Sequence, residues 1–281
     1  MFILWVVPKN LLSYLVGLLV HIPLPAPLST WSVQIFASYY NINMEEAEHP
    51  IENYRSIGEL FTRRLKPGVR PVSHEEIVHP ADSELTTRGF IENETMLQAK
   101  GKTYSVSEFL NVEGTIGKQH LNFFQGGAYF TYYLCPTDYH RVHSPVSGKI
   151  LSVIHIPGAL WPVNDWSVNR IERLFAINER VVVWIETQMG PVAVVFVGAT
   201  NVGKMTMSFD SEVVTNRFLQ GQRFKEKRYG QPIEIQKGEE LGTFHMGSTV
   251  VVLYPKGVIS EIPEKRPWKT QVGEGFLETS S

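Results

Sequence analysis

The amino terminus carries almost no charge, and this feature most constrains how the chain can fold. Lys9 is the only charged side chain before Glu45, so residues 10–44 contain no Asp, Glu, Lys or Arg. A series of prolines that begins with Pro23 ends the helix-compatible apolar run by Ile22, after about a dozen residues. Because a helix needs about 20 residues to span a bilayer core, we expect this segment to lie in the membrane surface.

A secretory signal peptide is the alternative, because a lysine precedes the apolar run. The single positive charge and the proline-rich "PLPAPLST" that follows do not match the usual cleavage region. We therefore favour a segment that stays with the protein and lies at an interface.

The next segment, "STWSVQIFASYY", predicts a second helix, capped by Ser29 or Thr30. At helical spacing its large side chains fall on one side: Trp31, Ile35, Phe36, Tyr39 and Tyr40. Aromatic side chains favour the headgroup zone of a membrane. A helix that faces a protein core would give the same pattern.

Ser56 and Glu59 have the spacing of a capping box and predict a short helix over residues 57–65 that Pro67 stops. Cations outnumber acids around this helix: Arg55, Arg63, Arg64, Lys66 and Arg70 stand against the single acid Glu59. Such a run is often only a solvated face. Beside an apolar amino terminus, it indicates attraction to an anionic lipid surface.

From residue 72 onwards the sequence consists of short runs rich in Val, Ile, Tyr and Phe, separated by Gly and Pro. The clearest strand-like runs are 127–134, 148–156, 180–199 and 248–255. One helix is predicted among them, in "SVNRIERLFAINE". We predict an α+β fold in which N-terminal membrane-associated helices, residues 1–71, precede a β-rich domain, residues 72–281.

The composition excludes several classes of protein. Of the 281 residues, 43% are hydrophobic and 19% charged, which is typical of a globular chain. The net charge of −2 argues against a nucleic-acid partner, because affinity for phosphate backbones depends on clustered cations. The single cysteine, Cys135, excludes an internal disulfide.

Three polar positions carry the candidate chemistry. Asp82 lies in "HPADSEL", His140 and His143 lie with Asp138 in "CPTDYHRVHSPVSG", and Ser248 lies in "HMGSTVV". Asp, His and Ser are the components of an activated serine, in which His removes the hydroxyl proton and Asp orients the imidazole. His140 and His143 could instead bind a metal. Without an HExxH motif or a cysteine pair, we expect no metal site.

Four separated segments, in order, resemble one known family: "MLQAKGKTYSVSEFL", "YLCPTDYHRVHSPVSG", "NERVVVWIETQMGPVAVVFVGATNVG" and "FHMGSTVV". With "YRSIGELFTRRLKPGVRPV" upstream, the chain is similar to the phosphatidylserine decarboxylases from about Tyr39 to Leu253. In place of the usual Leu before Gly-Ser-Thr this chain has Met246, an apolar residue of similar volume. Residues 1–38 resemble the family only in their general apolar character and not in individual residues.

The resemblance implies that the protein cuts its own Gly247–Ser248 bond. Asp82, His143 and Ser248 would form the self-cleavage triad, and the products would be a β chain, residues 1–247, and an α chain, residues 248–281. Ser248 would become a covalent pyruvoyl group, so that no external cofactor is needed. This group would form a Schiff base with the amine of phosphatidylserine, and decarboxylation would yield phosphatidylethanolamine, with His140 handling the substrate.

The resemblance also implies partners and a location. We expect the enzyme to be a heterodimer of its own two chains, which could form a higher homo-oligomer. We expect it to bind the anionic surface of the inner, cytoplasmic membrane of a bacterium as a peripheral protein.

Three alternatives stay open from the residues. A pyruvoyl-dependent decarboxylase could act on another amine-bearing substrate, although a soluble substrate would not explain the apolar amino terminus. The segment "KGEELGTF" has the turn-and-strand pattern of a lipoyl or biotinyl carrier domain. However, Lys237 lacks the sequence motif that flanks the modified lysine in such carriers. A metallohydrolase that uses His140 and His143 is the third alternative.

Overall fold

The computed structural model describes residues 9–99, 101–200, 204–216, 225–262 and 268–276. An N-terminal layer contains three helices: α1, Lys9–Val20; α2, Leu28–Tyr39; and α3, Ile57–Phe61. The expected dozen-residue apolar helix is confirmed in α1. In the described ranges, no helix combines the length and the apolar character that crossing a membrane requires.

Helix α2 begins one residue earlier than the predicted caps. Pro27 occupies the N-cap position and no side chain caps the helix, so Ser29 and Thr30 lie within the first turn and the predicted cap is wrong. Val33 and Ala37 are buried against the small core of this layer, which also includes Leu60 of α3.

The large side chains of α2 do not share one environment, contrary to the predicted single face. Trp31, Ile35 and Tyr39 are exposed, with Tyr39 at 76% of its full accessible surface. Phe36 and Tyr40 instead pack against the buried residues of the layer. The helix therefore offers one apolar face to its surroundings and a second to the protein.

The Ser56 cap of the predicted capping box is confirmed at α3, whereas the Glu59 side chain reaches the amide before the N-cap residue instead of the N-cap amide itself. The Ser56 hydroxyl accepts a hydrogen bond from the Glu59 amide at 3.1 Å, and the Glu59 carboxylate accepts one from the Arg55 amide at 2.7 Å. The helix ends at Phe61 rather than at residue 65. There the Thr62 hydroxyl donates to the Gly58 carbonyl at 2.9 Å and helps to close the last turn.

The predicted cationic cluster is divided by the fold. Arg55, Arg64 and Lys66 are exposed. Arg63 is buried and donates to the carbonyls of Thr137 and Asp138, so the expectation that it faces lipid is wrong. Arg70 is also withdrawn from the surface, in an ion-pair network described below.

The β-rich part is built on an eight-stranded antiparallel sheet with the strand order β10-β6-β7-β8-β12-β4-β1-β13. Its strands are β1, Ser83–Phe90; β4, Ala128–Leu134; β6, Gly148–Ile156; β7, Arg180–Thr187; β8, Gly190–Val197; β10, Glu226–Ile235; β12, Ser248–Tyr254; and β13, Trp268–Thr270. All four predicted strand-like runs are confirmed, and the run over 180–199 is a hairpin of two strands.

Two smaller sheets accompany the large one. The first has the order β5-β11-β9, with β5, Arg141–His143; β11, Glu240–Phe244; and β9, Met205–Met207. The second pairs β2, Thr95–Ala99, with β3, Lys102–Ser105. Because β5 carries one candidate histidine and β11 leads into β12, the three-stranded sheet brings distant parts of the sequence to one edge of the fold.

Four short helices complete the described elements: α4, Val106–Leu110; α5, Gly117–His120; α6, Asp165–Arg170; and α7, Leu174–Ile177. The single helix predicted in "SVNRIERLFAINE" is wrong, because α6 and α7 are separated by Arg173, whose φ of 54° is left-handed. Two 3₁₀ turns lie at Ile51–Asn53 and Leu121–Phe124.

Candidate active site

The Gly247–Ser248 bond lies at the point where a buried strand begins. Ser248 is the first residue of β12 and pairs with Leu134, the last residue of β4. On its other side β12 pairs with β8, starting with Thr249 opposite Val197. The strand is therefore hydrogen-bonded on both edges, and Val250–Leu253 are fully buried. This arrangement holds position 248 firmly in the sheet.

The structure does not use the conformational freedom of Gly247. Its φ is not among the positive values in the chain, and a Cβ built there would meet the Leu134 carbonyl oxygen at 3.4 Å and His140 Cε1 at 3.7 Å, which are ordinary contacts. The side chain of Ser248 lies outside the described part of the structure.

His140 is completely buried beside Gly247. Its Nε2 lies 3.0 Å from the Cys135 carbonyl oxygen, and its ring stacks on that of Phe61. Since a carbonyl only accepts, Nε2 carries the hydrogen and Nδ1 presents a lone pair. Nδ1 has no hydrogen-bond partner among the described residues. Burial, helped by the charge of Arg63, lowers the pKa of His140 to about 3, so the ring is neutral near pH 7.

His143 lies on β5 and is bonded at both ring nitrogens. Nδ1 donates to the Gly238 carbonyl at 2.7 Å, and Nε2 lies 3.2 Å from the Tyr139 hydroxyl. Burial lowers the pKa of His143, while the Gly238 carbonyl and the negative charges of Glu240 and Asp82 oppose this effect. The hydrogen on Nδ1 leaves a lone pair on Nε2, as a general base requires.

Asp82 lies near enough to His143 to influence it electrostatically, but the two make no hydrogen bond. The Asp82 carboxylate accepts instead from the Arg70 guanidinium and from the Val272 amide at 2.9 Å. The structure thus brings two members of the expected triad into one neighbourhood without placing them in contact.

Asp138 has a structural environment. Its Oδ2 accepts a hydrogen bond from the Cys135 amide at 2.7 Å and so shapes the turn that leads to His140. Burial raises the pKa of Asp138 despite this bond. Among the described residues no group of three or more His, Cys, Asp or Glu side chains has an arrangement that could hold a metal ion.

Two cavities flank the Gly247–Ser248 bond. The smaller, of 230 Å³, is lined by Phe36 of α2, by Tyr40 directly after this helix, and by Gly247. The larger, of 770 Å³, is lined by Thr249 together with Thr87 and residues of β2 and α6. Both cavities are lined by three of the same residues, Tyr133, Val163 and Asn164. The bond therefore stands between a space that reaches the N-terminal layer and a larger one inside the β-rich part.

The larger cavity has polar as well as apolar residues in its lining. Glu84, Arg88 and Asn164 are among them. The hydroxyls of Thr87 and Thr249, two further lining residues, are buried and have no hydrogen-bond partner among the described residues. The mixed polar and apolar lining suits an amphiphilic molecule.

The sequence patterns do not identify several residues of this region. They predict Arg70 only as a surface cation, and they predict no role for Tyr139, Asn164 or Thr249. The one available signal was the polar Thr249 at the head of an apolar run. For Arg70 there was no such signal, because the partners of an arginine depend on the tertiary fold.

Comparisons with known proteins agree on one family. The family model described as phosphatidylserine decarboxylase matches residues 57–278. The phosphatidylserine decarboxylase proenzyme of Myxococcus xanthus (strain DK1622) is 44% identical over 256 residues, which cover 90% of this chain and 88% of the relative. The proenzyme of Anaeromyxobacter sp. (strain K) is 40% identical over 271 residues, with coverages of 95% and 93%.

Proposed function

This chain belongs to the phosphatidylserine decarboxylase family, and we propose that it converts phosphatidylserine to phosphatidylethanolamine after cutting its own Gly247–Ser248 bond. The observation that carries the proposal is the location of this bond. It lies at the head of a strand paired on both sides, beside the neutral His140 and between two cavities. The word proenzyme in the relatives' names fits a chain that must be cut to become active.

Self-cleavage begins with attack of the Ser248 hydroxyl on the Gly247 carbonyl carbon. The proton passes through His143 Nε2 to the departing amide nitrogen, so that the peptide bond becomes an ester. Loss of the Ser248 Cα proton then breaks the ester bond and releases the Gly247 carboxylate. The remaining dehydroalanine takes up water and releases ammonia. The lone pair on His143 Nε2 and the negative charge of Asp82 nearby support these roles.

The surroundings of position 248 fit a pyruvoyl group. His140 Nδ1 and the Thr249 hydroxyl are both buried without a hydrogen-bond partner among the described residues. When present, the group supplies an electron-withdrawing carbonyl that makes loss of carbon dioxide from an attached amino acid favourable. His140 Nδ1 presents an acceptor to the substrate amine, and burial keeps the imidazole uncharged while it does so. The larger cavity has polar and charged residues in its lining that suit the polar headgroup.

The N-terminal helices provide a route from the membrane to this site. Leu12, Leu15, Leu18 and Leu19 of α1 and Trp31 and Ile35 of α2 are exposed apolar side chains. Phe36 and Tyr40, on the inner side of α2, line the smaller cavity. We place the exposed face in the bilayer interface, with Arg55, Arg64 and Lys66 near anionic headgroups. The enzyme would then be a peripheral protein of the inner, cytoplasmic membrane of a bacterium.

The two chains should remain together after cutting. The α chain, residues 248–281, would contribute β12, which pairs with β4 and β8 of the β chain. It would also contribute β13, which pairs with β1. Breaking one peptide bond removes none of these hydrogen bonds, so a heterodimer is the expected product.

Two measurements test the proposal. Intact-mass analysis should give chains of residues 1–247 and 248–281, the second lighter by one ammonia than a chain that begins with serine. Vesicles of phosphatidylserine should be decarboxylated, and free L-serine should not. An uncut chain with full activity would contradict self-cleavage. A cut chain that prefers a soluble amino acid would support the alternative substrate class.

A further inference from the structure

Arg70 is the cation that contacts Asp82. Its side chain is only 12% exposed and its Nε lies 3.0 Å from each oxygen of the Asp82 carboxylate, with Nη2 at 2.6 Å from Oδ2. The same Nη2 lies 2.8 Å from Glu46 Oε2. One guanidinium therefore bridges a carboxylate of the N-terminal layer and the carboxylate that precedes β1.

Asp82 depends on this contact. The residue is 7% exposed, and the Val272 amide is its other hydrogen-bond donor among the described residues. A buried carboxylate is costly unless it is paired, and a two-pronged arginine contact fixes its position as well as its charge. The backbone holds this region from the other side, because the His143 amide donates to the Pro80 carbonyl at 2.8 Å. The carboxylate and the histidine thus have a fixed spatial relation.

We infer that Arg70 is a positioning residue for self-cleavage, which holds in place the Asp82 carboxylate on which His143 depends. The inference rests on the proposed function, because it assigns Arg70 to the cutting of the Gly247–Ser248 bond. Arg70 acts through Asp82 and need not touch the reacting atoms. Glu46, on the far side of the guanidinium, steadies Arg70 and should have the smaller effect.

The charges around Asp82 show why Arg70 matters. Among the described residues, the titratable and charged groups that interact with Asp82 include Arg63, Arg70, Asp138, Tyr139 and His143. Arg63 directs its guanidinium to the carbonyls of Thr137 and Asp138 rather than to Asp82. Without Arg70, Asp82 would keep the Val272 amide as its hydrogen-bond donor among the described residues and would lose the cation that holds it in place. A misplaced carboxylate cannot stabilise the imidazolium that forms on His143 during cutting.

The test follows the cutting of newly made protein between pH 5.5 and 8.5 in the wild type, Arg70→Gln, Arg70→Lys and Glu46→Gln. We expect Arg70→Gln to cut about 100-fold more slowly at neutral pH, as misplaced catalytic groups do. We also expect the acid limb of its pH–rate profile to move to higher pH, because loss of a nearby positive charge favours the protonated form of His143. Arg70→Lys keeps the charge but loses the forked contact, so it should cut at an intermediate rate with the wild-type pH profile.

A matched control lies at the opposite edge of the sheet. Lys227 on β10 also bridges two carboxylates, those of Asp210 and Glu212. Lys227→Gln should cut like the wild type. Each substitution is also made in the Ser248→Ala chain, where unfolding can be measured without cutting, so that a folding defect is recognised.

The outcomes separate the two proposals. If the wild type is never cut at Gly247–Ser248, the proposed function fails. If the wild type is cut and Arg70→Gln matures at the same rate with the same pH profile, only the role of Arg70 is overturned. If Arg70→Lys shares the displaced acid limb of Arg70→Gln, the charge of residue 70 is not what Asp82 requires, and the inference is again overturned.

Discussion

The ring of His140 stacks on the ring of Phe61, with 3.9 Å between the centroids and 23° between the planes. Phe61 ends helix α3 of the N-terminal layer, whereas His140 lies beside Gly247, the residue before the interior strand β12. A residue of the layer that we place at the membrane therefore forms one wall of the site at which we place the chemistry.

This stack leads to the first prediction. Phe61→Leu keeps an apolar side chain but removes the flat surface that orients the His140 ring. We expect normal cutting and a lower decarboxylation rate, with a loss of unfolding free energy of about 1 kcal/mol. Single-turnover assays on vesicles together with urea unfolding measure the two effects. A variant with a wild-type rate would mean that the stack does not orient the histidine.

The second prediction separates the two histidines. His143→Ala and Asp82→Asn should leave most of the chain uncut, because the base or its negatively charged partner is removed. His140→Ala should still be cut but should decarboxylate poorly, because its Nδ1 acceptor is gone. Gel analysis of chain cutting and release of carbon dioxide from vesicles are measured on the same preparations. Uncut His140→Ala together with mature His143→Ala would reverse the two assignments.

The third prediction concerns stability against pH. Burial lowers the pKa of His79 to about 4 and that of His140 and His245 to about 3. In the unfolded chain a histidine titrates near pH 6.5, so below that pH the unfolded state binds protons that the folded state does not. The contribution of these histidines to the free energy of unfolding is therefore fully present above about pH 6.5. It falls on acidification by about 1.4 kcal/mol per pH unit for each such histidine.

Urea unfolding of the uncut Ser248→Ala chain at pH 7 and pH 5 measures this slope. Replacing one of the buried imidazoles, in His79→Gln, should make the slope shallower, because one proton-binding group of the unfolded state is lost. An unchanged slope would show that the folded protein accepts a proton at His79 without cost.

The fourth prediction concerns the membrane face. Leu19 is 66% and Trp31 62% exposed, on α1 and α2 respectively. Leu19→Glu or Trp31→Glu should weaken binding to anionic vesicles about tenfold or more, because an apolar side chain that would enter the interface becomes charged. Phe123→Glu, at a residue that is 50% exposed but outside the N-terminal layer, is the matched control and should bind normally.

Co-sedimentation at increasing salt completes this test. Salt should weaken the contribution of Arg55, Arg64 and Lys66, while the apolar face keeps part of the protein bound. Removing residues 1–38 should spare cutting and reduce activity on vesicles. If Leu19→Glu, Trp31→Glu and Phe123→Glu all bind alike, the exposed apolar face has another role.

Local patterns in the sequence were enough to predict much of this fold. The capping box at Ser56 and the apolar runs that became β4, β6 and β12 depend on neighbours within a few residues, and the structure contains them. The break at Arg173 could not be read in the same way, since its left-handed φ belongs to the junction between α6 and α7. Long-range packing, rather than local helix propensity, determines where the chain breaks between α6 and α7.

Prediction of the site from the sequence has the same limit. The motif residues Asp82, His140 and His143 could be named from the sequence, because they lie in short recognisable segments. That Asp82 would be bonded to Arg70, and His143 to Gly238 and Tyr139, depends on how separate segments of the chain meet. Opposite charge in a sequence shows that ion pairs are available, but not which pairs form.

The location of β12 between β4 and β8 fixes an order of events. An interior strand is difficult to insert once the strands on either side of it have assembled. We therefore expect the segment after Gly247 to fold as part of one continuous chain. Synthesis as a single polypeptide thus delivers β12 to its place, and the cut that we propose at Gly247–Ser248 would follow once the sheet has formed. A separate peptide of residues 248–281 would have to insert between β4 and β8 in a sheet that has already formed.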